Sequence, residues 1–199
     1  MHTRARALLF GVIGGIVGCT QPFDATKGIP GEPSAPSTGY HVQQAPVSTS
    51  QVNLNLRDRI NTIRTRNKVP TLGVHTMAAS AAQAHADDMV YHEYFGQSSP
   101  SGVTVRQRLD DAGARREIVT YRALLRVVKP DPTTTIADRI LYDDPDGWAI
   151  NPLEGLALTS ERYRSIGIGV AWHPTQRQYY VVAYLTDAIP VRHFRRPTR

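Results

Sequence analysis

Cysteine is nearly missing from this chain: Cys19 is the only one in 199 residues. A single thiol closes no internal disulfide, so the folded part must be held by its packed core. Long apolar runs are scarce too. The N-terminal run from Ala7 to Val17 has eleven residues, about half of the roughly twenty that a membrane-spanning helix needs. No glycine-rich phosphate loop and no Gly-x-Ser-x-Gly elbow occurs, which disfavours nucleotide binding and serine hydrolysis by those routes. The acidic run Asp143-Asp144-Pro145-Asp146-Gly147 fails as a calcium loop. With Gly147 at the obligatory glycine, Tyr142 takes the first ligand position and Leu153 the place of the bidentate Glu. The run reads instead as a turn, bent by Pro145 and Gly147, with Asp146 as a cap.

The N-terminus has a definite pattern. Arg4 and Arg6 precede the apolar run, and Ile16-Val17-Gly18 places small or apolar residues before Cys19. Residues 1–18 therefore read as a signal peptide. Ile-Val-Gly-Cys resembles the bacterial lipobox, which implies lipidation of Cys19; the rival reading is an ordinary buried cysteine after an ordinary leader. Acyl chains contribute about 0.8 kcal/mol per buried methylene, so several of them anchor a protein stably. Thr20 in place of Asp implies outer-membrane sorting if the cell has two membranes. Residues 19–51 carry Pro22, Pro30, Pro33, Pro36 and Pro46 with almost no apolar periodicity, the composition of a disordered tether reaching roughly 30 Å. Residues 188–199 form a basic tail with Arg192, Arg195, Arg196 and Arg199. Losing Arg4 and Arg6 with the leader lowers the side-chain charge from +6 to +4. The tail reads as a solubilising segment or a weak, salt-sensitive contact with an anionic surface. No aromatic platform accompanies it, so no nucleic-acid partner is expected.

Residues 52–187 are enough for one domain. Apolar spacing predicts helices over 52–66, 77–92, 103–112 and 148–158. Strands are predicted over 118–128, 164–172 and 178–185, the last two joined through His173-Pro174-Thr175. Met77, Ala78, Ala81, Ala82, His85 and Met89 recur at three- and four-residue steps, which turns His85 inward. Tyr94, Phe95 and the turn formers Gly96-Gln97-Ser98-Ser99-Pro100-Ser101-Gly102 then make a tight loop.

This helix and loop resemble the bacterial branch of the CAP superfamily: the cysteine-rich secretory, antigen 5 and pathogenesis-related-1 proteins. Ala84 to Met89, Phe95, Ser99, Pro100 and Gly102 match its His-Ala-x-x-Met helix and Ser-Pro-x-Gly turn. Trp148, Asn151-Pro152 and Ser165 to Ala171 look like its Trp-x-x-Ser-Pro-Gly-His helix and Gly-x-Gly strand. Leu56, Arg57, Ile60, Asn61, Arg64, Val69-Pro70 and Leu72 look like its opening helix and link. The resemblance implies an α+β fold, a three-layer α/β/α sandwich with a mostly antiparallel central sheet.

It also implies a cleft, and there the chain departs. CAP proteins gather two His and two Glu, a set able to hold a divalent metal. The loop His falls here on Gln97 and the second His on Glu154. The Gly-Glu-Asn element falls near Thr120, Tyr121 and Arg122, where no carboxylate stands; Glu117 is the nearest. The cleft positions by resemblance are therefore Gln97, Tyr121 and Glu154. Gln97 lacks a ring nitrogen and a titrating proton. Glu154 is a ligand or base in principle, yet one carboxylate without partners is a poor site. Its plainer reading is a solvated charge on the cleft rim, and that of Gln97 a turn residue. No metal or other cofactor is expected. His85 and His92 are seven apart with no acid completing a set on their face; His75, His173 and His193 read as surface residues, and His41 as a linker residue.

Two function classes follow. One is a non-catalytic envelope lipoprotein whose degenerate CAP domain binds a wall glycan, a lipid or a partner protein. The other is a metal-assisted hydrolase or peptidase with a cleft rebuilt from Glu154, Glu117, His92 and the acidic run, which requires those side chains to converge.

Overall fold

The computed structural model describes residues 44–190. The leader, Cys19, most of the proline-rich segment and the arginine tail, with His41 and His193, lie outside the described residues. The described residues group as one compact unit. Its elements run α1 (Thr49–Arg66), β1 (Gly73–Val74), α2 (Thr76–Tyr91), α3 (Val105–Asp111), a 3-10 turn (Ala114–Arg116), β2 (Tyr121–Val128), α4 (Ile136–Tyr142), α5 (Pro152–Leu158), β3 (Ser165–His173) and β4 (Gln178–Thr186).

The sheet order is β1-β3-β4-β2. β4 lies antiparallel between β3 and β2, while β1 pairs parallel to β3 through Gly73 and Val74. The sheet is thus mixed, and mostly antiparallel. Strand side chains alternate between faces. On β4, Tyr179, Val181, Ala183 and Leu185 enter a core shared with α1, α4 and Trp148, whereas Tyr180, Val182 and Tyr184 enter one shared with α2 and α3. Two helical layers enclose the sheet.

The join between α2 and β3 explains two sequence patterns at once. A Cβ added to Gly167 or Gly169 would lie 2.2 Å from backbone carbons of Ala78 and Ala82. Helix and strand therefore meet backbone to backbone, which only alanine on one and glycine on the other permit.

Local chemistry sets the element ends. Helix α1 begins at Thr49, earlier than the apolar pattern implied, because the Ser48 hydroxyl caps it by accepting from the Gln51 amide. Val47 is also tied in, through its amide and carbonyl to the Tyr179 hydroxyl at 2.9 and 2.6 Å. The buried Arg64 guanidinium donates to the carbonyls of Pro70, Leu158, Ser160 and Tyr163. It locks the end of α1 to the chain that follows it and to the α5–β3 link.

Trp148 is not in the predicted helix. It is buried in the preceding turn, its indole Nε1 donating to the Leu125 carbonyl at 3.4 Å, and α5 starts only at Pro152, after the Asn151 cap. His75 and His173, expected on the surface, are both buried. His75 caps α2: its Nδ1 accepts from the Ala78 amide, so its proton sits on Nε2, 2.9 Å from Glu117 Oε2. His173 pairs with Gln178 to end the hairpin, and its Nδ1 accepts from the Gln176 amide. The hairpin turn is Pro174 to Arg177, with Arg177 at φ 53°.

Candidate functional site

The loop after α2 rests on a buried polar network. Nε2 of His85 lies 2.9 Å from the Gly96 carbonyl, which can only accept, so Nε2 carries the proton. Nδ1 then accepts from the Tyr184 hydroxyl at 2.7 Å. Burial, helped by the nearby Arg108 charge, lowers the His85 pKa to about 4. Next to it, Asp88 accepts from Tyr94, Arg108 and His92. Burial pushes that carboxyl up, but the three hydrogen bonds and the Arg108 charge outweigh it and hold it below the usual range. This cluster fixes the Gly96 backbone and presents Gln97 to solvent.

The other cleft positions lie on β2 and α5. Tyr121, Ala123, Leu125 and Val127 face the α2 and α3 layer, whereas Leu124 and Val128 face the opposite one. Alternation puts Arg122 and Arg126 on that opposite face. Glu154 is in the first turn of α5, half-buried, with Arg122, Arg126 and Asp146 as its charged neighbours. Burial raises its pKa, and the two arginines only partly counter this. The residue of β2 that shares the surroundings of Glu154 is therefore Arg122, with Tyr121 turned to the other side of the strand.

The remaining parts of a rebuilt cleft are engaged elsewhere. Glu117 bonds His75, His92 pairs with Asp88 at 2.7 Å, and Asp143 pairs with Arg139 at 2.9 Å. Only Asp146 of that set is a charged neighbour of Glu154. Among the described residues, no three His, Cys, Asp or Glu side chains stand close enough to hold a metal ion. The groups gathered around Glu154, one further carboxylate and two guanidinium cations, do not fit the divalent metal that the resemblance implied. Separately, an apolar cavity of about 460 Å³ lies against α1 and the start of α4, lined by Val47, Val52, Pro130, Ile136 and Ala137; none of the three cleft positions lines it.

An alanine-rich helix laid on a Gly-x-Gly strand, within a three-layer sandwich and followed by a Ser-Pro-x-Gly loop, is the CAP architecture. The chain belongs to the cysteine-rich secretory protein family, CAP, whose family model matches residues 57–185. The structure is similar to an outer surface protein of Borrelia burgdorferi, with a TM-score of 0.59 and 15% identity, covering 71% of this chain and 96% of that one. It is also similar to an extracellular protein containing an SCP domain from Bacillus anthracis, with a TM-score of 0.53 and 20% identity, covering 72% of this chain and 45% of that one. The chain thus spans under half of that second protein. At these identities the likeness shows the fold. A search among curated proteins returned no significant match.

Proposed function

We propose that this chain is an exported envelope lipoprotein, lipidated at Cys19 and tethered through its proline-rich segment, whose CAP domain binds an envelope ligand without metal chemistry. The observation that carries the reading is the replacement of the family's donors by Gln97, Arg122 and Glu154, with Arg122 and Arg126 as charged neighbours of Glu154. Two positive charges beside Glu154 oppose a divalent cation there, and the one other carboxylate among its charged neighbours, Asp146, is itself paired with Arg126. The lipobox-like Ile-Val-Gly-Cys supports the anchor, and the likeness to an outer surface protein and an extracellular protein is in keeping with an envelope location.

Calorimetric titration of residues 41–199 with zinc, calcium and magnesium tests the cleft. No stoichiometric binding is expected, and micromolar binding would return the hydrolase reading to the front. Membrane fractionation of the full chain and its Cys19→Ser variant tests the anchor. The parent is expected in the membrane fraction and the variant in the soluble one; an unchanged distribution contradicts lipidation.

A further inference from the structure

Two cations on one face of a strand have little to bind. Arg122 and Arg126 share a face of β2, which is an edge strand of the sheet. Their Cα atoms are about 13 Å apart along the strand, and Glu154 feels both charges from α5. Arg126 is enclosed, its side chain 14% exposed, and its Nε is buried without a hydrogen bond. Its ion-pair partner is Asp146, which is 75% exposed and stands 3.6 Å away, beyond hydrogen-bonding distance. Arg122 is exposed and makes no hydrogen bond or ion pair among the described residues.

A guanidinium offers five donors in a planar fork matched to carboxylate and phosphate oxygens, and a buried donor left empty is costly. The acceptors at hand are poor ones: Asp146 is solvated and distant, while Glu154 makes no hydrogen bond to either arginine. We infer that the surface between β2 and the first turn of α5 is an oxyanion-binding site, in which Arg126 and Arg122 take a phosphate or carboxylate group of an envelope molecule. An arriving oxyanion displaces the exposed Asp146 carboxylate from Arg126 and recruits Arg122 from solvent. Glu154 works against this while ionised and stops doing so once protonated or replaced by Gln. Leu153, exposed and next to Glu154 in the first turn of α5, offers an apolar border for the carbon skeleton that carries the anion. This inference rests on the metal-free reading of the cleft and deepens it by naming the ligand's chemistry.

The test is titration of residues 41–199 with inorganic phosphate, followed by amide and arginine side-chain NMR, with sodium chloride as the ionic-strength control. Saturable shifts are expected on β2 and the first turn of α5, with a dissociation constant on the order of 1 mM. Arg126→Gln and Arg122→Gln are each expected to weaken binding about tenfold, and Glu154→Gln to tighten it roughly threefold to tenfold. Arg122 is exposed, so its variant reports on binding even if loss of Arg126 disturbs the fold. Shifts that follow chloride equally, or that ignore all three substitutions, overturn the inference. Soluble N-acetylmuramic acid and vesicles of phosphatidylcholine containing phosphatidylglycerol then separate a wall carboxylate from a lipid phosphate. A chain that binds neither phosphate nor zinc sinks this inference alone, whereas stoichiometric zinc binding sinks the reading beneath it.

Discussion

The Tyr184 hydroxyl and the His85 ring meet at 2.7 Å inside the core, where the phenol donates to Nδ1 of a neutral histidine whose one ring proton, on Nε2, is donated to the Gly96 carbonyl. A side chain from the centre of the sheet thereby supports the loop that carries Gln97.

This arrangement makes stability depend on pH. The His85 pKa is about 4 in the folded chain, against about 6.5 when unfolded. Above 6.5 neither form holds the extra proton and the contribution is complete. As pH falls from 6.5 to 4 the unfolded chain takes up a proton that the native one refuses, and on the order of 3 kcal/mol is lost. Melting temperatures of residues 41–199 are expected to drop across that window. In His85→Gln, which is less stable at pH 7, the drop should be much shallower; an equal slope in both proteins contradicts the assignment.

Gly167→Ala and Gly169→Ala probe the joint between α2 and β3. Each new methyl lands 2.2 Å from helix backbone, and backbone cannot rotate away as a side chain can. A loss of about 3 kcal/mol or more is expected for either in urea denaturation. A loss under about 1 kcal/mol would mean that helix and strand are not in such close contact.

Arg64 satisfies four backbone carbonyls from a buried position, and burial lowers its pKa without leaving it unpaired. Arg64→Met removes every donor at once and is expected to cost roughly 3 to 5 kcal/mol. Arg64→Lys should rescue little of this, since one ammonium cannot span the fork's geometry. Full rescue by Lys in thermal melts would reduce the role of Arg64 to its charge.

Much of the fold is readable from residues whose spacing is imposed by close packing. The alanines of α2 and the glycines of β3 repeat at helix and strand periods, and both elements fall within a residue of expectation. Helix α4 is not foreseen, although Thr135 caps it through the Asp138 amide and Ile136, Ala137, Ile140 and Leu141 make its buried stripe. Two turns are too few for a period to stand out. Strand β1 has two residues and exists only by pairing with β3, a partner far along the chain. His75 and His173 look like surface residues among polar neighbours, yet each ring accepts a backbone amide three positions on and goes inside. At the cleft, the motifs point to Gln97 and Glu154 only by resemblance, whereas which of Tyr121 and Arg122 shares a face with Leu124 and Val128 depends on the strand register, where one residue changes the face. The polar network of His85, Asp88, Tyr94, Arg108 and Tyr184 spans three elements, and no local pattern joins them.

Zinc titration of residues 41–199 beside a variant that restores the family's donors, Gln97→His with Arg122→Glu and Glu154→His, tests the central claim most directly. The account predicts no stoichiometric heat from the parent and one bound zinc per chain in the variant. One zinc bound by the parent at micromolar affinity would contradict it.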